Sequence, residues 1–369
     1  GTENALYVSC DDGDHWQPFK NGLPPAPVYG MIIQPHFNDL VVGTYGRGFY
    51  ILDDLRPLQT ITPDIVASDA YLFAPRAAYR FTDITGNYAP NDDQTAGANP
   101  TYGASINYWL KSPTRATLTV KDAAGKTIRV ITDSTTHAGL NRTYWDLRNE
   151  PTKAPKLKTK PSYDAEFTMA RDGTRDTPGF GTISVLMPPG RYTITLTANG
   201  KTFTQPLDVL RDPNQHESVA DIKASSAAKL ELQRQLNATG EMINQIESVR
   251  SQVQSLGAAD VRAAADALER KFMDVEGRLF DLRLTGRGQD EVRWPARIAQ
   301  QVSYLAGGVS ASDFPPTAQQ KEVTVVLGNG IRDTRATLDR LLADDLKAFN
   351  SVLQSKGLKL ITVEPKVVF

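Results

Sequence analysis

Cysteine is all but missing. Cys10 is the single one in 369 residues, which excludes an internal disulfide, and a lone Cys in a strand reads as a small core residue. An oxidising compartment stays open. Charge of one sign is not in excess either: 41 Lys and Arg stand against 42 Asp and Glu, a formal net charge of −1. With no basic stripe in view, this argues against a nucleic-acid partner. The cluster Lys153, Lys156, Lys158 and Lys160 lies among prolines and reads as a solvated loop rather than a polyanion site. There is no run of about 20 apolar residues, so no membrane span is expected, and no signal peptide is recognisable. Histidine is scarce. His15, His36, His137 and His216 include no two at metal-ligand spacing, so neither a metal nor another cofactor is expected. G-x-S-x-G is absent, which leaves serine-hydrolase chemistry without support.

What is present begins with short apolar runs at even spacing. Leu6–Ser9, Trp16–Phe19, Val28–Gln34, Asp39–Thr44 and Phe49–Asp53 read as strands of a propeller blade or a sandwich. Gly46-Arg47-Gly48 reads as a hairpin turn. It is no dinucleotide loop, because the glycine spacing is wrong and no helix follows. The turn Ser9-x-Asp11-x-Gly13-x-x-Trp16 has the pattern S-x-D-x-G-x-x-W. On these residues the stretch resembles the terminal blade of Asp-box (BNR) repeat proteins of the sortilin and sialidase-like superfamily. The resemblance implies a structural box: Asp11 accepts backbone N–H bonds across the turn, Gly13 takes a special dihedral and Trp16 packs under the hairpin. Asp11, Asp12 and Asp14 lack the following Gly and distal Glu of a calcium loop. Only one box occurs, and the strands suffice for about one and a quarter blades. The expectation is therefore a C-terminal piece whose propeller lies N-terminal to residue 1.

Prolines 57, 63, 75, 90 and 100 punctuate a connector, with Tyr88–Pro100 of loop composition. Alternation returns at Ala104–Leu110, Ala116–Lys121, Thr127–Asp133, Gly139–Arg148, Tyr192–Ala198 and Thr202–Val209, the last two joined by Asn199-Gly200. About seven strands fit an immunoglobulin-like sandwich, and the run resembles the FlgD-like Ig domain that follows such propellers. Residues 150–180 read as a long insertion. After Asp212-Pro213 the period becomes helical. Val261, Ala265, Leu268, Phe272, Val275, Leu279 and Leu282 step by four and three, and Leu232, Leu236, Ile243, Ile246, Val249, Val253 and Leu256 do nearly the same. Shorter stripes follow at Ile298–Leu305 and Ile331–Leu353. The expected fold is multidomain β plus α. Partial propeller blades occupy 1–60, a connector 61–103, an Ig-like β-sandwich 104–210, an antiparallel helical bundle 211–357 and a C-terminal arm 358–369.

Candidate chemistry is thin. Asp53-Asp54 would face opposite ways on a strand, so the pair cannot act jointly as acid and base. Asp344-Asp345 reads as a solvated helix face, and Asp92-Asp93 sits in the connector. Tyr102, Tyr108, Trp109 and Tyr144 are candidates for a sugar-stacking platform, while Trp145 reads as core. Tyr45, Arg47 and Tyr50 surround the blade hairpin and are candidates for ligand contact, with Arg47 facing an anionic group. No catalytic residue is assigned, because a sialidase-like site draws on several blades. The resemblance implies a non-catalytic accessory or interaction region of an exported protein, periplasmic or extracellular. Its partners would be the N-terminal propeller and a polysaccharide or protein. The alternative is the C-terminal portion of a glycoside hydrolase whose catalytic residues lie in the missing blades.

Overall fold

Short apolar and alternating runs produce strands over most of the chain to residue 211, and a period near 3.6 produces the long helices after it. A computed structural model describes residues 1–20, 22–81 and 97–364. It is a mixed β and α structure with several sheets. The chain divides into two compact units, Gly1–Leu147 with Pro189–Gln215, and Arg148–Pro188 with His216–Phe369.

In the first unit, β1 (Tyr7–Val8) and β2 (Gln17–Pro18) pair across the Ser9–Trp16 turn. A meander follows: β3 (Val28–Gln34), β4 (Asp39–Thr44) and β5 (Phe49–Leu52), antiparallel in that order. Two short helices, α1 (Arg56–Thr60) and α2 (Pro63–Ala67), each carry proline in the first turn, where its missing N–H leaves no bond unmade. The remaining strands are β6 (Ala70–Leu72), β7 (Ala78–Arg80), β8 (Ala104–Leu110), β9 (Ala116–Lys121), β10 (Thr127–Asp133) and β11 (Gly139–Trp145). They make a three-stranded sheet in the order β11-β8-β6. With β14 (Gly190–Ala198) and β15 (Lys201–Arg211) they also make a five-stranded one in the order β10-β9-β14-β15-β7.

Every second residue of β9 (Ala116, Leu118, Val120) and of β14 (Tyr192, Ile194, Leu196, Ala198) is buried. The ring of Trp145, on β11, meets Tyr192 edge-on at 5.1 Å and is fully buried, as a core reading of Trp145 expects. Gly103 (φ 117°) precedes β8 because a Cβ there would lie 2.1 Å from the Trp145 carbonyl oxygen. Residues 61–103, expected as a connector, supply α2, β6 and β7. Asp92-Asp93 and most of the Tyr88–Pro100 loop lie outside the described residues.

The second unit is organised by α3 (Val219–Gln254), 36 residues long. Ser218 caps it reciprocally with Asp221, N–H to side-chain oxygen at 3.1 Å in each direction. It packs against α4 (Arg262–Leu279), α6 (Ile298–Ser310) and α7 (Ala318–Arg340). One turn, α5 (Asp290–Arg293), precedes α6. A π-type turn at Leu341–Leu346 leads from α7 into α8 (Lys347–Ser355). Ile243, Ile246, Phe272, Leu279, Val302, Leu338 and Leu353 meet in one buried core. On α3, Gly240 admits the Phe180 ring, whose Cζ would stand 2.9 Å from an added Cβ.

Residues 148–188 belong to this unit. β12 (Lys156–Leu157) and β13 (Arg175–Asp176) pair there, and Gln233 of α3 donates to the Ile183 carbonyl at 2.9 Å. Deeper still, Glu247 accepts from Thr159 N–H at 2.8 Å and Thr159 Oγ1 at 2.7 Å. Arg250 Nη1 then links Glu247 Oε1 at 3.0 Å to Glu276 Oε2 at 2.7 Å. The tail packs as an arm without strand structure over 358–364. Ile361 is buried and exchanges two 2.9 Å hydrogen bonds with Asn350, while residues 365–369 lie outside the described part.

Candidate functional site

The Ser9–Trp16 turn is held by its own side chains. Ser9 Oγ donates to Asp11 Oδ1 at 2.8 Å and accepts from Gly13 N–H at 2.9 Å. His15 N–H donates to Asp11 Oδ1 at 2.9 Å, and its ring Nδ1 lies 2.6 Å from Asp11 Oδ2. The His15 backbone bond, then the His15 ring and Ser9, hold the Asp11 carboxyl below its usual range. Gly13 has φ 100°. Trp16 departs from expectation: its indole N–H reaches the Gly13 carbonyl at 2.9 Å, but the residue is 63% exposed rather than packed beneath a hairpin. The two-residue β1–β2 pair offers no layer for it to enter. Cys10 is also exposed, not core, because β1 ends at Val8 and the turn begins before it.

The more distinctive surface is the β3–β5 sheet. Its register sets Ile32 beside Val41, Val41 beside Ile51, and Gly43 beside Phe49, so these residues share one face. Ile32 is 64% exposed, Phe49 83% and Ile51 63%. On the other face, Leu40, Val42, Tyr50 and Leu52 meet Leu6, Phe19 and Leu23 around a gap of about 60 Å³. β3 is an edge strand, and Met31 and Ile33 remain exposed on it. The hairpin trio is dispersed. Tyr45 lies outward with its ring 5.4 Å from Tyr29, Arg47 is exposed in the turn, and Tyr50 lines the inner gap. Among the described residues no hydrogen bond, ion pair or ring contact joins the three.

A polar joint borders this sheet. The strand ends at Leu52, so Asp53 and Asp54 are not strand neighbours as expected; Asp54 has φ 54°. Asp54 is buried, with Arg56 Nε at 2.8 Å and Asn107 Nδ2 at 3.3 Å. Arg142 donates to the Asp53 carbonyl and to Asn107 Oδ1, both at 2.7 Å. Arg76 pairs with Asp39 at 2.9 Å. Burial, then the nearby Asp39, raises the Asp53 carboxyl. The three arginines face fixed internal acceptors, which ties β4 and β5 to β8 and β11. Tyr102, Tyr108, Trp109 and Tyr144 do not share one face, since the register puts Trp109 and Tyr144 on the side of the sheet opposite Tyr108. Tyr108 is buried with its hydroxyl donating to Asp133 at 2.7 Å, Tyr102 donates to the Phe81 carbonyl at 2.8 Å, and Trp109 neighbours Tyr108 on the opposite face of β8.

The buried Glu247–Arg250–Glu276 cluster is not apparent from the stripes, although its signal was present. Glu247 and Arg250 each follow directly on an apolar stripe position, Ile246 and Val249. Among the described residues no grouping of three or more His, Cys, Asp or Glu could hold a metal ion. Among them also, no helix is long and apolar enough to cross a membrane. Compared with known proteins, the chain matches no family model and no curated relative.

Proposed function

We propose that this chain is a non-catalytic accessory and interaction region of an exported Asp-box propeller protein. In this reading β1–β5 form part of a terminal blade, the two larger sheets of the first unit form an Ig-like sandwich, and α3–α8 form an antiparallel bundle. The observation that carries the proposal is the outward face of the β3–β5 sheet. Three large apolar side chains on three short strands stand in water, where an exposed patch of this kind marks an interaction surface. The Ser9–Trp16 pattern supplies the kind of partner, another sheet of the same propeller. The sandwich and bundle then scaffold the propeller or bind a glycan or protein. Hydrogen exchange tests this. Amides of β3–β5 exchange fast in this chain and become protected when the upstream sequence is supplied, covalently or as a separate fragment. Unchanged exchange in the longer protein sinks the reading, as does glycan turnover by this chain alone.

A further inference from the structure

The second unit contains a cleft of about 550 Å³, walled by the 167–178 loop and the turn at Thr285–Gly286. One of its lining residues is a cation in an unusual position. Arg175 is only 6% exposed, yet among the described residues it forms no ion pair. Nε donates to the Thr159 carbonyl at 2.8 Å and Nη1 to the Leu284 carbonyl at 2.9 Å, both uncharged. Nη2 donates to no described protein group, and the guanidinium carbon lies 5.8 Å from the centroid of the Phe167 ring. The nearby buried carboxylates are engaged elsewhere, Glu247 and Glu276 with Arg250. Burial lowers Arg175 to about 10, with Glu247 and Glu276 opposing, so the guanidinium remains charged at neutral pH. A buried cation without a direct ion pair is costly, and an anion reaching Nη2 offsets that cost.

The rest of the lining selects among anions. Asp172, Asp176 and Glu291 line the cleft together with Lys156 and Arg175. Lys156 is already paired with Asp176, and Asp172 holds Thr174 through N–H at 3.0 Å and Oγ1 at 2.8 Å. Arg287 stacks on Phe167 at 4.5 Å. With Lys156 and Asp176 paired, the cleft keeps Arg175 for a carboxylate and Asp172 and Glu291 for a positive group. It suits a single carboxylate whose other end is positive. Phe167 and Met169 add an apolar wall.

We propose that this cleft binds a small zwitterionic carboxylate of the amino-acid class, its carboxylate on Arg175 Nη2 and its ammonium toward Asp172 and Glu291. The site is independent of the bare sheet face and of the propeller reading. Titrating the full chain with L-lysine, followed by amide NMR, gives saturable shifts confined to residues near 172–176 and 285–287. Sodium acetate gives weaker shifts there and inorganic phosphate none. Arg175→Met weakens L-lysine binding about tenfold or more, as loss of charge-assisted hydrogen bonds requires. Ala170→Trp changes an exposed lining residue. It blocks the cleft without touching Arg175, so binding disappears while the melting temperature holds. Saturable phosphate binding at these residues overturns the proposal. So does L-lysine binding that survives Ala170→Trp, or the absence of any shift at about 50 mM of all three probes.

Discussion

The β3–β5 sheet and the helices of the second unit are built from equally clear apolar patterns and end in opposite states. On α4, Phe272 and Leu279 are wholly buried, as is Ile243 on α3. On the sheet, Ile32, Phe49 and Ile51 stand mostly in solvent. Periodicity therefore says which side chains share a face, and burial depends on whether another layer is there to meet it. The helices supply one another's covering layer. Over β4 and β5 the sheet's inner face is covered by Leu6, Phe19 and Leu23, while Ile32, Phe49 and Ile51 on the outer face meet no such layer among the described residues.

Removing one ring from each region breaks this contrast if it is false. Phe272→Ala costs about 3–5 kcal/mol by urea denaturation, through lost transfer energy and the cavity left behind. Phe49→Ala in the same chain stays within about 0.5 kcal/mol. Equal losses would mean that the outer face is covered in solution. Next in size, Arg250→Met leaves Glu247 and Glu276 buried beside each other without their shared cation. It costs about 3 kcal/mol, read in the same way.

The third prediction concerns pH. Burial, then Glu247, raises the Glu276 carboxyl well above its usual value of 4.5, against the pull of Arg250. The folded chain thus holds this proton more tightly than the unfolded chain. The stability it contributes is complete below 4.5 and is lost as pH rises through the folded value. Thermal melts of Glu276→Gln from about pH 4 to about pH 8 should decline less with rising pH than those of the parent chain. A steeper decline would show the opposite sign. The smallest effect is expected from Phe49→Lys, which leaves unfolding within about 0.5 kcal/mol. It reduces dye binding to exposed apolar surface, and no reduction would mean that the patch lies elsewhere.

Much of the secondary structure was legible because alternation and helical period are local properties. Val28–Gln34, Asp39–Thr44, Ala104–Leu110, Ala116–Lys121 and Thr127–Asp133 are strands with the bounds expected from the sequence. The strand beginning at Gly139 stops at Trp145 rather than Arg148, since Leu147 takes φ 58°, a conformation that side-chain pattern does not encode. Three-residue strands such as β6 and β7 fall below the length at which alternation is distinguishable from chance, so the 61–103 segment read as a connector. Candidate sites were less legible. The Ser9–Trp16 bonds are local and follow from residue type. Thr159 with Glu247, and Arg175 with the Leu284 carbonyl, join residues 88 and 109 positions apart, and no short-range pattern carries that information.

The chain passes between its two units at 147/148, 188/189 and 215/216. A truncation at residue 210, the natural cut if the β region is taken as contiguous, would therefore strand residues 148–188. Leu157 and Phe180 would lose the α3 surface on which they are buried, and Thr159 would lose its Glu247 acceptor. Such a fragment is expected to expose the apolar surface of these side chains, read as aggregation on expression or rapid proteolysis within 148–188. Useful dissection of this gene would replace 148–188 with a short linker when the first unit is wanted alone. The second unit would need its excised segment returned in trans or fused ahead of Ser218.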